Sequence, residues 1–234
     1  MTEIALVADL HGNLPAVEAL DQDLRRRGIE NIWCLGDVVG KGPNSPETMD
    51  WALARCQVLL RGNWDEGIGA RQFPRDEFYY RQLGDARMRK LLEFPLEHHF
   101  LCSGRKIRLL HGRPLLPKAY YVQAEDALFL PFFQPDFQAL GYADVHRQGL
   151  RIIDGAGLLF NTGSVGNGLG VPEVQYAILR GKLNAAAPGP LDISLVTLPY
   201  DRARALADTD RAECEGLVNA EAFRQEIRTG RYAR

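Results

Sequence analysis

The chain has no apolar run that approaches the roughly 20 residues a membrane-spanning helix requires. Nor does it open with a basic stretch followed by an apolar one; strand-like sequence begins within four residues. It is therefore read as neither exported nor anchored, with the cytoplasm as its expected location. Cys-x-x-Cys spacing is also missing. The four cysteines, Cys34, Cys56, Cys102 and Cys214, are scattered, which suggests neither a zinc knuckle nor a disulfide framework and leaves reduced, mostly buried thiols as the expectation. There is no basic excess: 28 Lys and Arg against 30 Asp and Glu give a net charge of −2, which argues against stable nucleic-acid binding through a broad basic surface. No internal repeat, low-complexity linker or domain boundary interrupts the 234 residues, so one domain over 1–234 is expected.

What is present is a strand-helix rhythm that keeps ending on the same kind of loop. Ile4-Ala5-Leu6-Val7-Ala8, too short for a helix, reads as a buried strand that breaks into Asp9-Leu10-His11-Gly12-Asn13. If the extended geometry persisted, Asp9 and His11 would project from one side and could share an ion. Leu14 to Arg27 has helical apolar spacing, with Pro15 near its start and Gly28 past its end. A second strand at Asn31–Leu35 ends in Gly36-Asp37, a helix follows over Pro46–Arg55, and a third strand at Val58–Arg61 ends in Gly62-Asn63-Trp64-Asp65. Three such units imply a parallel sheet with right-handed crossovers.

From Gly67 to Phe100 the sequence turns polar, Arg-rich and aromatic; one or two helices between Asp76 and Glu93 are expected there, as a segment able to cap the site. Strand character returns at Ile107–Leu110, before His111-Gly112-Arg113. A loop-rich stretch over Leu115–Phe137 precedes short strands at Leu150–Ile153 and Gly157–Phe160 and the turn Asn161–Gly168. Gln175–Arg180 and Ile193–Leu198 alternate like antiparallel strands, and residues 202–234 have helical composition broken near Gly216.

Asp9, His11, Asp37, Asn63, His111, Asp144 and His146 all fall on loops at expected strand ends. Oxygen donors with a few imidazoles suit ions such as Mn, Fe or Zn, and seven candidates exceed the three or four protein ligands of a single catalytic zinc. Two ions sharing a bridging carboxylate fit the count, an arrangement that activates water against a phosphoryl group. Singly, Asp37 reads as a helix N-cap, Asn63 as a turn former and the histidines as ordinary hydrogen-bonded side chains; it is their combination that points to metal.

The order Asp9-x-His11, Gly36-Asp37-x-x-Gly40, Gly62-Asn63-x-Asp65, His111-Gly112 and Asp144-x-His146 resembles the calcineurin-like metallophosphoesterase superfamily. Asp9-Leu10-His11-Gly12-Asn13-Leu14-Pro15-Ala16, Gly40-Lys41-Gly42-Pro43, Asn161-Thr162-Gly163-Ser164-Val165-Gly166 and Pro199-Tyr200-Asp201 further resemble its YfcE-like phosphodiesterases. The resemblance implies an α/β fold, a four-layer αββα sandwich of two mixed sheets flanked by helices. It implies a first ion on Asp9, His11, Asp37 and His146, and a second on Asp37, Asn63, His111 and position 144, with a metal-bridging hydroxide as nucleophile. Asp37, Asn63 and His111 become the catalytic candidates, and Asn13, Asn63 and Arg113 the substrate contacts. Asp65 is placed behind the ligands, orienting one or stabilising the loop. Two divalent ions are expected, Mn foremost and Fe, Zn, Ni or Mg as alternatives, with a small phosphorylated substrate such as a nucleotide. Homo-oligomerisation is left open.

Two departures bear on this. The family reads Gly-His-x-His where the chain has Gly141-Tyr142-Ala143-Asp144-Val145-His146, so a carboxylate replaces an imidazole and hardens the site toward Mn or Fe; Asp144 reads equally as a ligand or as an acceptor behind the ligands. Trp64 stands where many members carry a proton-donating histidine; indole cannot act as that acid, which favours good leaving groups. The readings beside phosphodiesterase are a phosphomonoesterase or protein phosphatase, a dinucleoside polyphosphate hydrolase, and a binding or regulatory module that has lost turnover. His98 and His99 are expected in exposed or structural roles, and Phe73, Phe78, Tyr79 and Tyr80 either pack or stack on a base.

Overall fold

Alternation along β1 (Thr2–Val7) sets the architecture. Ile4 and Leu6 face one core and Ala5 and Val7 another, because successive strand side chains point to opposite faces. A strand buried on both sides must lie in the middle of a layered molecule. The computed structural model, which describes residues 1–120 and 123–233, has that form.

After β1 come α1 (Leu14–Arg27), β2 (Asn31–Cys34), α2 (Ser45–Arg55), β3 (Val58–Leu59), α3 (Asn63–Gly69), α4 (Glu77–Leu92), β4 (Glu97–Cys102), β5 (Arg105–Leu110) and α5 (Asp126–Phe129). A 3-10 turn (Leu130–Phe133) leads to β6 (Ala139–Tyr142), β7 (Gln148–Ile153), β8 (Gly157–Thr162), β9 (Val174–Gly181), β10 (Asp192–Leu198), α6 (Arg202–Cys214) and α7 (Ala220–Thr229). The strands form two mixed five-stranded sheets, β10-β9-β1-β2-β3 and β4-β5-β6-β8-β7. Within them β1, β2 and β3 run parallel, as do β5, β6 and β8. The expected α/β sandwich of two sheets flanked by helices is the fold observed.

The sheets meet over Ile4, Leu6, Trp33, Ile107, Leu109 and Phe160. Removing one such side chain, as in Leu6→Ala, costs about 2–5 kcal/mol. The outer face of the first sheet packs on α1, α2 and α4 through Val17, Leu20, Met49 and Tyr79. The outer face of the second is covered by Leu116, Phe129 and Phe133, so the fourth layer consists of short elements. Helix α1 begins as its sequence demands: the Asn13 Oδ1 accepts from the Ala16 N–H at 3.4 Å, and Gly28 takes the left-handed φ of 68° that closes the helix.

Several local expectations change. The strand β3 is only two residues long, and Asn63 opens helix α3 instead of lying in a loop. Residues 97–102 form β4, the antiparallel partner of β5; His98 packs edge-on against Trp33 there, and His99 lies 3.3 Å from Glu97. His98 is thus packed and His99 exposed, within the exposed or structural roles expected. Of the segment expected to cap the site, α4 joins the outer helix layer with a break at Gly84, and Phe78, Tyr79 and Tyr80 are buried in that layer. They pack and are not available to stack on a ligand; Phe73 alone of the four lines the pocket described below.

Candidate metal centre

Each candidate ligand follows the carboxyl end of one of the parallel strands, the edge at which open α/β sheets bind ligands. The extended geometry of β1 does not persist through Asp9 and His11, however. Asp9, His11, Asp37, Asp144 and His146 all adopt positive φ, between 46° and 66°. Such conformations cost about 1–3 kcal/mol each for non-glycine residues and concentrate at functional sites. They are held by cross-loop hydrogen bonds: the Asp9 N–H donates to the Gly36 carbonyl at 2.9 Å and the His11 N–H to the Asp37 carbonyl at 3.1 Å. The glycine-dense turn after β8 adds a brace, with the Ser164 hydroxyl and the Gly166 N–H both donating to the Asp9 carbonyl.

Three buried imidazoles are fixed in one tautomer. Nδ1 of His11, His111 and His146 lies 3.3, 2.9 and 3.2 Å from the carbonyls of Val39, Leu35 and Asn167. A carbonyl only accepts, so each Nδ1 carries the proton, and in the neutral ring each Nε2 is left as a lone pair facing the site. These lone pairs converge. His11 Nε2 and His146 Nε2 are 3.2 Å apart, and Asp9 Oδ1 is 3.6, 3.9 and 3.4 Å from Nε2 of His11, His111 and His146. Asp37 Oδ2 lies 3.6 Å from His11 Nε2 and 3.3 Å from His111 Nε2. So many acceptors at such separations repel one another unless cations stand among them.

The donor set fits divalent metal. Ligand atoms of Asp9, His11 and His146 lie within 4.8 Å of one another, as do those of Asp9, Asp37 and His111. Asp9 belongs to both groups and Asp37 to the second, although Asp37 Oδ2 also lies 3.6 Å from His11 Nε2. Among the described residues, both Asp9 carboxylate oxygens and the Asn63 Oδ1 are buried without a hydrogen-bond partner. Unpaired buried acceptors of this kind are costly and call for a ligand. The local electrostatics carry the same charge imbalance. Burial drives His11 well below its ordinary value, aided by the nearby Lys41 ammonium. Burial would lower His111 too, but Asp37 and then Asp9 and Asp144 push it up to about 10, so without metal the carboxylates retain a proton on that ring.

Asp65 supports the ligands from behind. Its Oδ2 accepts from the Asp37 and Gly62 N–H groups at 2.7 and 2.9 Å, and its Oδ1 from the Val38 N–H at 2.9 Å, tying the loop after β2 to the loop after β3. Burial and the adjacent Asp37 charge raise its own pKa to about 7. The Trp64 N–H donates to Asp37 Oδ1 at 2.8 Å. The two loops touch closely enough that a Cβ on Gly62 would fall 2.0 Å from Asp37 Oδ1, so only glycine fits.

Asp144 lies outside both metal groups. Its carboxylate is taken up by Arg113, whose Nε reaches its oxygens at 2.9 and 3.1 Å and whose Nη2 reaches Oδ1 at 2.5 Å. This pairing holds Asp144 below the usual carboxylate range although burial opposes it. In this structure Arg113 is the partner of the Asp144 carboxylate. Asn13 is also placed elsewhere: its Oδ1 caps α1 and its Nδ2 donates to the Gly166 carbonyl and the Tyr200 hydroxyl, so its amide is committed away from the pocket.

The pocket at the centre has a volume of about 370 Å³ and is lined by Asp37, Asn63, Trp64, Arg113, His146 and Lys41, among others. Lys41, Lys118 and Tyr232 were not singled out as site residues by the sequence. Lys41 sits inside the quoted Gly40-Lys41-Gly42-Pro43 motif, whereas no local pattern marks the other two. The Lys41 ammonium is held 3.2 Å from the buried Glu226 carboxylate of α7.

A family model described as the calcineurin-like phosphoesterase superfamily domain matches residues 2–182. The chain is 25% identical over 223 residues to the uncharacterised protein MJ0912 of Methanocaldococcus jannaschii, covering 85% of this chain and 88% of that one. Its fold is shared with a metallophosphoesterase from Sphaerobacter thermophilus (TM-score 0.76, 21% identity, 98% and 100% of the two chains covered). It is also shared with the phosphoesterase Yfce from E. coli (TM-score 0.50, 21% identity, 83% and 98% covered).

Proposed function

Since the chain belongs to the calcineurin-like phosphoesterase superfamily, and is thereby a metal-dependent phosphoesterase, we propose that it is a phosphodiesterase working with two divalent cations, Mn foremost. The observation that carries the reading is the convergence of three tautomer-fixed Nε2 atoms on the Asp9 and Asp37 carboxylates, with the Asn63 Oδ1 left unpaired beside them. Asp9, His11 and His146 would hold one cation, and Asp37 and His111, with Asp9 and Asn63, the other. Bound there, the cations supply Lewis-acid activation of water and offset the charge that develops on the phosphoryl oxygens.

The protein's own groups do the rest. Asn63 and Arg113 bind the phosphoryl oxygens; Asp144, by gripping Nε and Nη2 of Arg113, fixes the plane of the guanidinium so that its remaining N–H groups face the pocket. Asp37 turns its Oδ1 to the Trp64 N–H and its Oδ2 to the cluster, which fixes the carboxylate's rotation. Trp64 stands edge-on to His11, 5.9 Å between ring centres, and offers no acid for the departing oxygen. Substrates with stabilised leaving groups are therefore preferred. The substrate is a small phosphate ester and the expected site of action is the cytoplasm; among the described residues no helix is long and apolar enough to cross a membrane.

Hydrolysis of bis-p-nitrophenyl phosphate in Mn²⁺, faster than that of p-nitrophenyl phosphate and abolished by Asp37→Asn with the fold retained, is the expected result. The reverse preference would favour the monoesterase. Turnover of neither, with no affinity for phosphate, would favour the binding module suggested by Trp64 and the Asp144–Arg113 pair.

A further inference from the structure

We propose that a second cavity, walled by α7 and the C-terminal tail, is a ring subsite that receives a single planar ring attached to the phosphate ester bound at the metal centre. The proposal rests on the phosphoesterase reading for the phosphate but on separate residues for the ring. The cavity has a volume of about 150 Å³ and is lined chiefly by Trp64, Ala222, Phe223, Tyr232 and Ala233. Apolar cavities of about this size accommodate benzene. It adjoins the phosphate pocket through shared walls, since Lys41, Trp64 and Tyr232 line both, so an ester can span the two without crossing bulk protein.

The wall is built rather than incidental. Glu226 on α7 is buried, and its carboxylate is fully committed: Oε2 accepts from Lys41 Nζ at 3.2 Å and from Asn167 Nδ2 at 2.5 Å, while Oε1 accepts from the Ala233 N–H at 3.2 Å. One side chain thus ties the tail that carries Tyr232, the turn behind His146, and Lys41 at the junction of the cavities. The Tyr232 ring is flanked by the ammonium groups of Lys118 and Lys41, 4.2 and 5.8 Å from its centre. Trp64, also in the wall, is held against Phe73 and Tyr79. A tyrosine ring, an indole and the apolar Ala222, Phe223 and Ala233 in one small cavity suit a flat ring better than a sugar or an alkyl chain. Residues 219–233 of this wall lie beyond the segment matched by the family model.

Calorimetric titration of the protein in Mn²⁺ buffer with phenylphosphonate and methylphosphonate tests the assignment, because the two differ only in the group that would enter the cavity. Phenylphosphonate should bind at least about tenfold more tightly, the low end of what burying such a ring provides. Ala222→Phe, which fills the cavity from α7, and Tyr232→Ala, which opens it from the tail, should each bring the ratio close to one, with thermal melts confirming that the variants are folded. A parallel preference for uridine 5′-monophosphate over ribose 5-phosphate would assign the ring to a pyrimidine nucleotide; its absence beside a phenyl preference would assign it to a simple aryl ester. Equal affinities, no binding of either phosphonate, or a preference that survives both substitutions would overturn the subsite. A protein that shows the ratio yet hydrolyses no phosphodiester keeps the subsite and loses the diesterase reading; one that hydrolyses with a ratio near one loses only the subsite.

Discussion

Replacing Asp65 by asparagine removes a strut without touching a candidate ligand. The carboxylate accepts three backbone N–H groups, from Asp37, Val38 and Gly62, at 2.7–2.9 Å. Asparagine retains one acceptor atom. With its carbonyl in the Oδ2 position it keeps the Asp37 and Gly62 contacts but turns an amide donor toward the Val38 N–H. A buried donor left unpaired costs about 1–3 kcal/mol. Part of that is returned, because the substitution also removes a charge that burial and Asp37 disfavour strongly enough to raise its pKa to about 7. The net loss is then about 1–2 kcal/mol, or roughly 2–8 °C in Tm for a chain of this size. Displacement of the Asp37 loop should weaken Mn²⁺ binding by about 10–100-fold, the usual effect of losing a group that orients ligands. Thermal melts and calorimetric Mn²⁺ titration of wild type and Asp65→Asn measure both. Affinity within twofold of wild type together with an unchanged Tm would refute the positioning role.

Asp144→Ala should leave metal stoichiometry intact and raise KM for bis-p-nitrophenyl phosphate by about tenfold, since Arg113 loses its brace; a halved metal content, measured by plasma emission, would return Asp144 to the ligand set. Gly62→Ala should lower Mn²⁺ affinity by more than about tenfold, because its Cβ would press on Asp37 Oδ1; wild-type affinity would show that the loops can separate freely. Asp21 on α1 accepts from Arg25 of the same helix and from Trp51 and Arg55 of α2, tying the two helices together. Burial alone would raise its pKa, but these donors outweigh burial and hold it below the ordinary value. Its folded pKa being depressed, its stabilisation is present above the ordinary carboxylate range and is lost as pH falls through the folded value. Asp21→Asn should therefore destabilise by about 0.5–1.5 kcal/mol at pH 7, modest because Arg25 is largely solvated, and by little in urea denaturation once the pH is below the folded value; a difference independent of pH would contradict this.

Much of the candidate site was legible because candidate metal ligands at strand ends leave a local signature. Asp-x-His, Gly-Asp and Gly-Asn mark the loops even though residues such as His11 and His146 are 135 positions apart and meet only through the sandwich. Helix α1 and the break between α6 and α7 were legible for the same reason, since Pro15, Gly28 and Gly216 punctuate them. Strand β4 was not: Glu-His-His-Phe-Leu-Cys has no clear alternation, and it becomes a strand because β5 offers an edge to pair with. The left-handed turns at Asp9 and His11 were hidden because a tertiary hydrogen-bond network, and not side-chain preference, stabilises them. Asp144 resembled a ligand in the motif, and its partner emerged only when β5 and β6 paired side by side and brought Arg113 to it. Lys118 and Tyr232 belong to segments without periodic pattern, brought to the pocket by packing alone.

The account turns on cations held by loops that are remote in sequence. Anomalous diffraction at the Mn edge from crystals grown in Mn²⁺ addresses it most directly. Two peaks are predicted, one bounded by Asp9, His11 and His146 and the other by Asp9, Asp37 and His111 with Asn63 adjoining. No anomalous density within coordination distance of these side chains, in a protein that still cleaves phosphodiesters, would contradict it.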